Sequence, residues 1–139
     1  MAHLALSPVS VALFTLLNVA TITDQATGGV VTDIPQAPTF PLVWLEVLEP
    51  RDMRGFGTGG FPEIEIRVHV FSQAETLTEA QTIARLCISL LRDATLTVTG
   101  YTQAGRVFYD GTTPLPNEQI LGVKVHELVS MFRTYVEEP

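Results

Sequence analysis

Between Glu63 and Leu91 the hydrophobic pattern changes period once, and that switch constrains the fold more than any other feature of the chain. Ile64, Ile66, Val68 and Val70 alternate with Glu63, Glu65, Arg67 and His69. This is the period-2 pattern of a strand with one buried and one wet face. Leu77, Ala80, Ile83, Ala84, Cys87 and Leu91 then recur at helical spacing. The segment dictates a sheet with a helix packed on it. It dictates no chemistry.

The remaining elements follow from the same two periods and from turn residues. Ser7-Pro8 reads as an N-cap with proline at the first helical position, and a helix is predicted to about Ala20 with Val9, Leu13, Leu16, Leu17 and Ala20 inward. Gly28-Gly29 punctuates, Val30-Val31 begins a short strand, and Pro35, Pro38 and Pro41 hold an extended connector. Leu42 to Leu48 is a strand mostly apolar on both faces, with Glu46 the exception, hence central or covered on both sides. It forms an antiparallel hairpin with the strand Glu63–Phe71, leaving residues 49–62 as an elongated tip, predicted to be flexible.

Two capping-box patterns, Ser72-x-x-Glu75 and Thr78-x-x-Gln81, place the second helix from Thr76–Thr78 to Asp93-Ala94. Leu96–Thr102 and Arg106–Tyr109 read as a second hairpin turning at Gly105, and Asp110–Asn117, with two prolines and a glycine, as a loop. Val123 to Val136 is a long last strand whose alternation shifts phase at Glu127-Leu128, which predicts a bulge or bend. The predicted class is α+β: one domain over residues 1–139, a mostly antiparallel sheet with two helices on it.

Composition bounds function rather than fold. With 139 residues and mean hydropathy +0.28, the chain suits one core that needs no metal or disulfide. Its net charge is −7, and its eight Lys and Arg are scattered, unlike the basic footprint of a nucleic-acid binder. No charged side chain precedes Asp24, so a secretory leader cleaved near Val19-Ala20 competes with a buried helix. The leader reading lacks a basic start, and the apolar run is too short to span a bilayer.

Each chemical motif meets a plainer reading. Gly55-x-Gly57-x-x-Gly60 matches the dinucleotide fingerprint, but Phe61-Pro62 and a strand follow where a helix must approach the pyrophosphate. His126-Glu127 has Ser130 where a second zinc-ligating histidine belongs, and His69 reads as a solvated or interface histidine. Cys87 sits on the core side of its helix, Ser72, Ser89 and Ser130 lack a nucleophile-elbow context, and Glu63/Glu65 read as a solvated pair. No catalytic residue, metal or cofactor is predicted. Phe56 and Phe61, in a glycine-rich loop with Arg51 and Arg54, have the composition of an interface centre, although one Phe tucked under the loop would explain them equally.

The order of elements resembles the tail-terminator, or tail-completion, proteins of long-tailed bacteriophages and phage-like particles. The resemblance runs through the capped apolar helix, the Gly-Gly and Val-Val segment with Asp33, and Pro41-Leu42-Val43 opening a strand. It continues through Ile66–Ser72, the helix Glu79–Ala84, and Phe132-Arg133-Thr134-Tyr135-Val136-Glu137. The glycine-aromatic loop departs from the family pattern. The resemblance implies a structural virion protein that closes into a hexameric ring, caps the tail tube and receives the head connector or neck protein. On this reading Arg51, Arg54, Phe56, Phe61 and Arg133 are the candidate contacts, and Val123–Val136 is a candidate edge for pairing across subunits. The alternatives are a neck or head-completion protein, a cytoplasmic small-molecule-binding domain, and a secreted domain.

Overall fold

The alternation of Glu63–Phe71 becomes a strand at the centre of one sheet. The computed structural model describes residues 6–48, 63–96, 102–103, 106–120 and 123–137. The helices are α1 (Leu6–Leu17), α2 (Ala20–Thr23) and α3 (Thr78–Leu91). The strands are β1 (Val30–Val31), β2 (Leu42–Leu48), β3 (Glu63–Ser72), β4 (Thr102–Gln103), β5 (Phe108–Ile120) and β6 (Val123–Glu137). The six strands form one sheet in the order β1-β2-β3-β6, with β5 along the other side of β6 and β4 at its C-terminal end. Only the β1–β2 pair among them is parallel. The predicted α+β class and the β2–β3 hairpin are both present.

One face of the sheet carries the main core. Ile64, Ile66, Val68 and Val70 are fully buried there, joined by Val43 and Leu45 from β2 and Leu128 and Phe132 from β6. Val9, Leu13 and Leu17 of α1, Ile22 of α2, and Ala80, Ile83, Ala84, Cys87 and Leu91 of α3 cover it. Each fully buried Leu, Ile or Val contributes about 1.5–3 kcal/mol relative to exposure. The opposite face holds a smaller cluster of Leu42, Phe71 and Val125, against which Val31, Ile34, Phe40 and Trp44 pack. Trp44 Nε1 donates to the Thr32 carbonyl at 3.1 Å, tying the connector over that face.

Several local expectations are corrected. The first helix stops at Leu17, and a separate turn, α2, follows an extended Val19. The β-branched run Val19, Thr21, Ile22, Thr23 is poor helix material, and the break puts Ile22 into the core while Leu16 is half-buried and Ala20 exposed. Neither capping box caps α3: Leu77 occupies the N-cap without a side-chain bond. The Ser72 hydroxyl instead donates to Glu79 at 2.7 Å and accepts from the Ala74 N–H at 3.1 Å. The helix ends at Leu91, and Asp93 adopts φ +61° just beyond it.

Of the expected second hairpin, residues 97–101 and 104–105 lie outside the described residues, and Thr102 and the adjoining Gln103 pair with Glu137 and Val136 of β6. The loop expected at Asp110–Asn117 is instead strand, part of β5. Its prolines are tolerated because β5 is an edge strand with irregularities at Tyr109/Gly111 and Leu115/Glu118. Strand β6 has no register shift against β3 from Tyr135 to His126, so the bulges lie in β5. The apparent phase change in β6 arises because residues 127–130 are buried on both faces, Glu127 among them. Nor is β6 an edge: it lies between β3 and β5. No helix of the described residues is long and apolar enough to cross a membrane.

Candidate functional site

The helix-free face of the sheet gathers the charged and aromatic side chains. Alternation along β6 sends Leu128, Ser130, Phe132 and Thr134 toward the helices and Glu127, Arg133 and Tyr135 to the other side. Arg133 stands opposite Glu65 of β3 and Phe108 of β5. Its Nε donates to Asp110 Oδ1 at 3.1 Å, another guanidinium N–H donates to the Tyr135 hydroxyl at 2.9 Å, and its Cζ lies 5.2 Å from the Phe108 ring centroid. The Phe108 and Tyr135 rings meet edge-on at 6.2 Å. Bonds to Asp110 and Tyr135 hold the guanidinium above its ordinary pKa, so it stays cationic. Phe108 is 41% exposed, one of the two large apolar side chains most open to water among the described residues. Arginine stacked on an exposed aromatic is the composition of an interface centre.

A second set of charges runs inward across the same face. Arg67 pairs with Glu65 at 3.2 Å and approaches Glu46 at 3.9 Å. Glu46 reaches His69 Nε2 at 3.0 Å, and Glu127 reaches His69 Nδ1 at 2.5 Å. The His69 ring stacks on Trp44 with centroids 4.3 Å apart, and Phe71 lies beyond at 6.1 Å. Burial alone would lower the His69 pKa, but the bonds and charges of Glu127 and Glu46 outweigh it and raise the value above the usual 6.5. Of the two readings of His69 from sequence, solvated or interface, the solvated one is corrected: His69 is buried and bound from both sides. Both ring nitrogens are engaged by carboxylates, and no metal-holding cluster occurs among the described residues.

The other titratable candidates have structural partners. His126 Nε2 lies 3.3 Å from the Glu75 carbonyl, fastening β6 to the approach of α3. Cys87 is fully buried and its thiol is pushed up to about 12 by burial, which makes it unreactive. The histidines with described side chains meet carboxylates and a carbonyl, not a hydroxyl or thiol.

Of the residues singled out in the sequence, Arg133 lies within the aromatic cluster. Arg51, Arg54, Phe56 and Phe61 fall outside the described residues, as does the whole of the 49–62 tip. The two strand ends that this tip joins are placed, however. Leu48 pairs with Glu65 and Glu63 pairs with Tyr135, so the connection leaves and re-enters the sheet at the end that carries Arg133 and Tyr135. Phe108 was missed although Arg106–Tyr109 reads as a strand, because nothing local places it opposite Arg133, and Asp110 was missed because it falls where the sequence reads as a loop.

A family model described as tail completion protein gp17 matches residues 11–137. The chain belongs to that family. A solved chain from the virion of a native gene transfer agent particle has the same fold, with a TM-score of 0.74 at 17% identity. The match covers 96% of this chain and 97% of that one. Comparison with curated proteins finds no sequence match. Tail completion proteins are structural components of phage or phage-like virions, and the resemblance read from element order is confirmed.

Proposed function

We propose that this tail completion protein works as one domain that caps the end of a tail tube, stops its polymerisation and offers the surface on which the head connector or neck protein docks. A tube is an open stack in which each ring exposes the surface the next one binds, so growth ends only when a ring with a different outer face is added. A terminator ring, six copies in the simplest scheme, supplies that face at the head-proximal end of the tail. The match to the family over residues 11–137 carries the reading.

The proposed contacts follow the same logic. Arg133, Phe108 and Tyr135 form a cation-aromatic patch at the end of the sheet from which residues 49–62 emerge. Arg51, Arg54, Phe56 and Phe61 add the same residue types to that end in sequence. Together they are the proposed surface for the tube or a neighbouring subunit, acting through shape and charge without catalysis.

Electron microscopy of particles made without this protein tests the assignment. Overlong or headless tails are the expected result. Normal-length tails detached from heads would instead place the protein at the neck, and intact particles would reject both.

A further inference from the structure

The helical layer stops short of one edge of the sheet. Helix α3 packs over β3 and β6, and α1 packs on its other side over β1 and β2. Beyond α3, the helix-side positions of β5 line an open groove of about 320 Å³. Leu77, Ala84 and Ile88 form its α3 wall, and Tyr109, Pro114 and Leu128 its sheet floor. Among the described residues the lining contains no carboxylate, and its one charge is the cation of Arg85.

The opposite flank carries a matching surface. Helix α1 has no charged residue along its length, LSPVSVALFTLL, and no basic residue in its last turn. Val9, Leu13 and Leu17 are buried inward, whereas Val11 and Thr15, with Asn18 just past the helix end, form an exposed, uncharged stripe, with Val11 61% exposed. A helix that faces water normally presents a charged outer side, and one without it is a helix that is covered.

We propose that the groove between α3 and β5 receives α1 of a second copy of this chain. The charge distribution favours that occupant. On a chain of net charge −7, identical copies repel wherever carboxylates meet, and here an uncharged helix meets a seat whose described lining is charged only at the cation of Arg85. The seat lies on one side of α3 and the helix on the other, so the contact is head-to-tail and repeats from copy to copy until rotation closes it. It would extend the helical layer over β5 and cover Val11. This deepens the ring reading above and rests on it.

Cysteine pairing and mass measurement test it. A chain carrying Val11→Cys is mixed with one carrying Gln81→Cys, a groove residue exposed on α3, and the mixture is oxidised mildly. A disulfide between the two different chains, absent from either alone, is expected; Cys87 is buried and contributes little background. In parallel, Val11→Glu should weaken self-association about tenfold or more by light scattering, with the thermal unfolding of the chain retained. If the wild-type chain forms rings, but Val11→Glu leaves them unchanged and no mixed disulfide appears, this interface is wrong and the ring reading stands. If the wild-type chain stays monomeric at every concentration, alone and with tail-tube protein, the ring reading falls and the interface with it.

Discussion

Glu127 of β6 lies 2.5 Å from Nδ1 of His69 of β3, and the two side chains are only 4% and 10% exposed. A carboxylate and an imidazole so placed are coupled through a weakly screening medium, and Glu46 completes the arrangement at the other ring nitrogen. Fifty-eight positions separate the pair in sequence, so β3–β6 pairing alone creates it.

The pair makes stability depend on pH. The folded-state pKa of His69 is raised above 6.5, so its contribution is fully present below the unfolded value and is lost as pH rises through the folded value. Urea unfolding followed from about pH 6 to about pH 9 should show stability falling across the alkaline side of that range. In His69→Gln that part of the slope should disappear. An unchanged profile would mean that His69 is neutral in the folded protein.

Removing the carboxylate should cost more than removing an exposed charge. Glu127→Ala leaves a buried imidazole with Glu46 as its remaining partner, a loss of about 3 kcal/mol by analogy with other broken buried pairs. Glu127→Gln retains a hydrogen-bond acceptor and should lose less. Chemical denaturation of the two variants, compared with Glu65→Ala on the half-exposed Arg67 pair, gives the ranking.

Gly28 is sterically required. A Cβ there would lie 1.7 Å from the Thr39 carbonyl oxygen, which cannot move without displacing the connector that Gly28 itself holds through a 2.8 Å bond to the Pro41 carbonyl. Gly28→Ala should destabilise by about 1–3 kcal/mol or more. Gly29, at φ +81° with open space around its Cβ position, should lose only about 1 kcal/mol on the same change. Equal melting temperatures for the two variants would contradict the close approach.

Cys87 should resist thiol reagents in the native state. Burial raises its pKa to about 12, so almost no thiolate exists at neutral pH, and the side chain is sealed by α3 packing. Labelling by a disulfide reagent should follow the unfolding rate and become rapid in denaturant. Fast labelling of folded protein would show that α3 opens locally.

The patch around Arg133 should separate folding from assembly. Phe108→Ala and Arg133→Ala alter partly exposed side chains, so circular dichroism and melting temperature should stay close to wild type. Particle yield or incorporation into tails should fall for both. Full incorporation would remove the patch from the proposed contact surface.

How much of this was readable in advance depended on whether the signal was local. Strands β2 and β3 and the body of α3 were legible, because period 2 and period 3.6 are written into neighbouring residues. The Gly28-Gly29 turn and the buried Cys87 were legible for the same reason. Strand β5 was legible only at Phe108–Tyr109, since Gly111 and Pro114 signal a loop; they are strand residues only because β6 offers a partner and an edge strand tolerates a proline that cannot donate.

The sequence alone determined an α+β chain with an amphipathic helix, an alternating strand and an acidic composition. Tertiary structure alone decided that β6 is interior, that His69 lies between Glu127 and Glu46, and that Arg133 meets Phe108. Hydrophobic periodicity specifies which face of an element is buried. It carries no information about which strand lies alongside, and these polar contacts depend entirely on strand neighbours and register.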